Sequence, residues 1–140
     1  MDIRISIRQL GKKRRAVEAV PFVLPDEPQT LRSLIAMLAR TCAEGYNARL
    51  QAGETGIRPL TEQQLADMET VGKMAFGVVY SDKPADPDKA VSDALLAFTD
   101  GLYRVFQGTT ELTDLDAPLT IAANDEFTLI RLTMLAGSIW

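Results

Sequence analysis

Two periodicities follow one another at the start of this chain and leave few folds open to it. Ile3, Ile5 and Ile7 alternate with Arg4, Ser6 and Arg8, which is the period of two of a strand with one buried face. Further on, Leu31, Leu34, Ile35, Leu38 and Cys42 fall at i, i+3, i+4, i+7 and i+11, one continuous stripe along a helix. Between them, "QLGKKRR" supplies a turn and "AVEAVPFVL" a return strand. Pro21 places that return strand at a sheet edge, because proline cannot donate to a ladder on both sides. Thr30 reads as the helix N-cap and Gly45 as its stop, giving a main helix over about residues 31 to 43. A hairpin thus precedes a helix whose apolar stripe needs a sheet to cover it.

The remainder alternates helix and strand signals. Residues 46 to 60 have no clear period and contain Gly53, Gly56 and Pro59, so a loop is predicted. Thr61 and Gln64 form a capping-box pattern, with Leu60 and Leu65 at the staple positions, and start a second helix running to about residue 75. "FGVVY" at 76 to 80 suits either a strand or a continuation of that helix. Asp86 and Pro87 open a third helix as N-cap and first helical residue; Val91, Ala94, Leu95 and Phe98 form its apolar face and Gly101 closes it. "LYRVFQ" and "FTLIRLTML" are predicted strands around a turn-rich middle.

With 140 residues the chain has the size of one domain and can bury one core. Its longest apolar run, "LIAMLA", is far too short to span a bilayer. The charged, alternating start "MDIRISIRQL" carries no signal peptide pattern, and a single cysteine allows no internal disulfide. A cytoplasmic protein without membrane contact is the simplest expectation. The absence of histidine removes histidine-dependent triads and His-based metal sites, and no phosphate-loop motif is present. Asp82, Asp86, Asp88 and Asp93 are crowded but do not follow calcium-loop spacing, and two of them suit a helix start. Asp114 and Asp116 in "TDLDAP" read as turn-formers before they read as an acid–base pair. No cofactor, metal or catalytic residue is therefore predicted, and the chain is expected not to be an enzyme.

The N-terminal stretch "MDIRISI", a Gly-Lys turn, a return strand and "TLRSLIAML", together with the C-terminal "YRVFQG", "ELTDLDAPLTI" and "NDEFTLIRL", resemble the β-grasp fold of the ubiquitin-like superfamily. The resemblance covers roughly residues 1 to 44 and 102 to 135 and lies in element order and apolar spacing. It implies an α+β domain spanning 1 to 140: a β-grasp-like mixed sheet packed on one main helix. A helical insertion over 46 to 101, with two extra helices, is placed before the third strand. It also implies that the first and last strands run parallel at the centre. On the last strand, Thr128, Ile130, Leu132 and Met134 are expected to face the helix. Phe127, Leu129, Arg131, Thr133 and Leu135 are expected to face outward.

Since domains of this superfamily act as recognition surfaces, the resemblance implies a non-catalytic interaction module or adaptor with a protein partner or self-association. The expected interaction surface is Arg4, Arg8, Phe127, Leu129, Arg131 and Leu135, with Ile139 and Trp140 of the apolar tail docking either over the outer face near Leu129 and Leu135 or into a neighbouring chain. An alternative is a ubiquitin-like modifier or sulfur-carrier precursor that acts through Ala136-Gly137 after removal of Ser138 to Trp140. Nucleic-acid binding through Arg4, Arg8, Arg131 and the Lys12 to Arg15 cluster is a third reading. The net charge of −4 and the scarcity of aromatic residues there count against it.

Overall fold

The computed structural model describes residues 1–10, 15–55 and 83–132. The predicted helix at 61 to 75 with its Thr61 cap, the segment 76 to 80, and the tail residues Leu135 to Trp140 lie outside these. Among the described residues, five strands and two helices follow in the order β1 (Asp2–Leu10), β2 (Arg15–Val23), α1 (Leu31–Thr55), α2 (Pro87–Thr99), β3 (Tyr103–Gln107), β4 (Thr110–Leu112) and β5 (Glu126–Leu132). The strands form one mixed sheet in the order β2-β1-β5-β3-β4, in which β1 and β5 are parallel and every other pair is antiparallel. Pro21 sits on β2, which is an edge strand as expected.

One face of the sheet is buried beneath α1. Ile3, Ile5 and Ile7 meet Leu31, Leu34, Ile35 and Leu38 in a single core, and Phe22, Tyr103, Val105, Phe127 and Leu129 complete the sheet side of it. The first turn of α1 is held reciprocally. The Ser33 backbone N–H donates to Thr30 Oγ1 at 3.2 Å, and the Thr30 N–H donates to Ser33 Oγ at 2.9 Å. Serine here performs the return half of a capping box.

The helix does not stop at Gly45 but runs on to Thr55, so the first part of the predicted loop at 46 to 60 is helical. Tertiary contacts hold the extra turns. Tyr46 is buried, and its hydroxyl donates to the Lys83 carbonyl at 3.1 Å. Asn47 clasps the Ala85 backbone, donating to its carbonyl at 2.8 Å and accepting from its N–H at 2.7 Å. Replacing Asn47 by alanine leaves two backbone groups to find new partners, and should lower stability by about 1–3 kcal/mol. Urea melts of the variant against the parent chain measure this, and an unchanged midpoint contradicts the clasp.

The segment captured by Asn47 leads into α2 as its sequence demands. Asp86 accepts from the N–H groups of Asp88 at 3.0 Å and Lys89 at 3.4 Å, and Pro87 occupies the first helical position. At the other end, Gly101 has φ of +75°. The Leu102 N–H reaches back to the Ala97 carbonyl and the Gly101 N–H to that of Phe98, each at 3.0 Å, a pairing that satisfies the last helical carbonyls. Ala94 and Ala97 are buried against the core, and α2 packs beside α1 on the same side of the sheet.

Candidate functional site

Both described helices lie on one side of the sheet, and neither covers the opposite face. Strand register defines its make-up. Arg8 lies beside Ile130, and Ile130 beside Arg104, forming one row across β1, β5 and β3. The next row holds Ser6, Thr128, Phe106 and Glu111, and Arg4 lies beside Glu126 in a third. Arg4, Arg8, Arg104, Glu111 and Glu126 are exposed, while Phe106, Thr128 and Ile130 are half-buried among them. Arg104 approaches Glu111 at 4.0 Å, an exposed pairing that contributes little to stability.

This outer face differs from the expected one. Phe127 and Leu129 are 0% exposed and sit on the helix side, opposite Ile5 and Ile7 on β1 and opposite Gln107 and Val105 on β3. They are core residues and not part of an exposed surface. Arg131 shares their parity, lies across from Tyr103 and is half-buried. It therefore does not share a face with Arg4 and Arg8, as the nucleic-acid reading had it. Thr128 and Ile130, expected beneath the helix, point outward. The reason is the strand's period: shifting inward parity by one residue transfers every side chain to the other face. On β5 both alternating sets are largely apolar, so the pattern alone did not choose. Phe127 and Leu129 offer more apolar bulk to a deep core than Thr128 and Ile130, and their rows coincide with the isoleucines of β1.

Arg104, Phe106 and Glu111 were not among the expected surface residues. For Arg104 and Phe106 the signal is present in "YRVFQ", where Tyr103 and Val105 are buried and the alternate residues must face away; Glu111 joins them only through the pairing of β4 with Phe106.

At the β1 end, the face is braced by a bulge. Ile5 pairs with Val20 and Ile7 with Val17, so that Ser6 faces an extra residue of β2. Ala19 takes up the strain with φ of +47°. Its N–H donates to Ser6 Oγ at 2.8 Å, and Ser6 Oγ donates onward to Glu126 Oε1 at 2.8 Å. Arg4 Nη1 donates to the Ala19 carbonyl at 3.2 Å. The arginine is thereby anchored by a backbone group.

Below the face, Tyr103 joins sheet and α2. Its hydroxyl donates to the Ala94 carbonyl at 2.7 Å and its ring meets Phe98 edge-on. Burial pushes its pKa well up, only partly offset by the positive charge of Arg131. A folded-state pKa above the unfolded value of about 10 means that unfolding releases a proton at alkaline pH. Stability from this group is complete below that pH and falls as pH rises beyond it. Chemical denaturation between neutral pH and pH of about 11 should show a steeper decline in the parent chain than in Tyr103→Phe. Equal declines would refute the coupling.

A groove of about 750 Å³ opens between the first turn of α1, the end of α2 and the segment from Glu111 to Asp116. On its rim, Arg32 Nε and Nη2 donate to the two carboxylate oxygens of Asp116 at 2.9 and 3.2 Å. Hydrogen bonding to Arg32 holds Asp116 below the usual carboxylate range. Asp114 accepts from the Asp116 N–H at 2.9 Å, the turn-forming role expected of it. Of the acids near the start of α2, Asp86 caps the helix, Asp88 pairs with Arg40 at 2.7 Å and Asp93 with Lys89 at 2.6 Å. Among the described residues no group of three or more acidic, cysteine or histidine side chains is placed to hold a metal ion. No described helix is long and apolar enough to cross a membrane.

No family model, curated protein or solved structure matches this chain.

Proposed function

We propose that this chain is a non-catalytic protein-recognition module of β-grasp type, and that its working surface is the outer face of the sheet. The fold part of the reading draws on three features together. The strand order is β2-β1-β5-β3-β4, β1 and β5 form a parallel centre, and the main helix follows the first hairpin. The functional part rests on one observation: Ile130 lies half-buried between Arg8 and Arg104, with half-buried Phe106 in the next row beside Thr128, on the side away from both described helices. Apolar side chains framed by arginine suit an interface core, where aromatic residues and arginine are enriched. The surface differs from the one expected from the sequence in its β5 residues, while Arg4 and Arg8 remain in it.

The test is site-specific photo-crosslinking in the source cell from a reactive residue at position 106, with position 96 as control. Leu96 is 60% exposed on α2, which lies on the other side of the sheet. Crosslinks to protein from position 106 that vanish on adding Ile130→Glu support the reading. Crosslinks equal at both positions, or indifferent to Ile130→Glu, overturn it.

A further inference from the structure

We infer that one occupant of this face is a second copy of the same chain, docked face to face about a two-fold axis. The inference rests on the recognition reading and names its partner. Its basis is the way charge is divided across the sheet. Arg4 and Arg8 lie on β1, toward one edge, whereas Glu111 lies on β4 at the other. Phe106, Thr128 and Ile130 lie between them on β3 and β5, flanked by Arg104 and Glu126. Arg8 is exposed and forms no ion pair among the described residues. Glu111 meets Arg104 only at 4.0 Å, so both charges are open to a better partner.

A closed dimer requires a self-complementary patch, and this distribution supplies one. Place the axis in the plane of the face, along the strands and between β5 and β3. Strand order then lays β1 of one copy over β4 of the other, and β5 over β3. Arg4 and Arg8 of each copy come alongside Glu111 of its mate, and Phe106 packs over Thr128 and beside Ile130. Both charge contacts occur twice by symmetry.

Five strands about 4.8 Å apart, with some seven residues on the longest shared run, give a face on the order of 500 Å² per copy. A standard interface buries about 800 Å² per partner. The dimer is accordingly of the transient class, sensitive to concentration and to salt.

Sedimentation equilibrium on the full chain tests this through charge reversal. Arg8→Glu alone and Glu111→Arg alone each place like charges together and should weaken self-association roughly tenfold or more. Mixing the two variants in equal amounts should restore most of it, because both contacts between positions 8 and 111 across that heterodimer again join opposite charges and only one of its two Arg4 contacts stays like-charged. Circular dichroism confirms that each variant is folded. A parent chain that stays monomeric up to about 1 mM, single variants that associate like the parent, or a mixture that fails to recover would each overturn the inference. If the chain is monomeric while Ile130→Glu still abolishes crosslinks to another protein, the recognition reading stands and only the second copy falls.

Discussion

Truncating Phe127 to alanine should cost about 3–5 kcal/mol of folding stability, the range for removing a large aromatic side chain from a packed interior. The ring is fully buried between Ile5 of β1 and Gln107 of β3, beneath the helix. Were Phe127 instead on an exposed interaction surface, the change would stay within about 0.5 kcal/mol. The two outcomes are far apart, and urea denaturation with an unchanged m-value separates them. If the alanine variant fails to fold, Phe127→Leu gives a milder measurement in the same direction. Ile130→Ala, on the other face and half-buried, should cost clearly less than Phe127→Ala. A reversed order would return β5 to the opposite parity.

Leu34→Ala should remove about 2–5 kcal/mol. Leu34 is fully buried at the centre of the stripe by which α1 closes on Ile3, Ile5 and Ile7. The cost has two parts, lost apolar transfer and the cavity left where close-packed neighbours cannot collapse. Leu96 provides the internal comparison: at 60% exposure on α2, its truncation should remain within about 0.5 kcal/mol. A midpoint unaffected by Leu34→Ala would refute the packing of helix on sheet.

Much of the architecture was legible because it follows from short-range rules. Alternation at Ile3, Ile5 and Ile7 and the spacing from Leu31 to Cys42 identify which side chains meet, and all of these are buried. The N-cap of α2 at Asp86 and its close at Gly101 are local chemistry, so they too were read from the residues. The limit of α1 was misread for an equally physical reason. Glycine weakens a helix by about 1 kcal/mol relative to alanine, and that suggested a stop at Gly45. Yet Tyr46 continues the stripe one turn past Cys42, and its burial together with the Asn47 clasp on Ala85 outweighs the glycine. The clasp joins residues remote in sequence, so no local pattern announces it.

By itself the sequence determined that β1 is half-buried, that α1 and α2 are amphipathic, where α2 begins and ends, and that Pro21 belongs to an edge. These depend on periodicity, capping and the missing proline N–H, all of which act within a few residues. Only the tertiary structure decided which face of β5 is inward. The strand carries two nearly equivalent apolar sets, and the choice came from pairing Phe127 and Leu129 with Ile5 and Ile7 across the parallel centre of the sheet. The same choice moved Arg131 to the helix side, placed Ile130 between Arg8 and Arg104, and brought Phe106 into the exposed face. A surface assembled from β1 and the three strands near the other end of the chain exists only once their register is set, because one residue of slip would exchange it for the core.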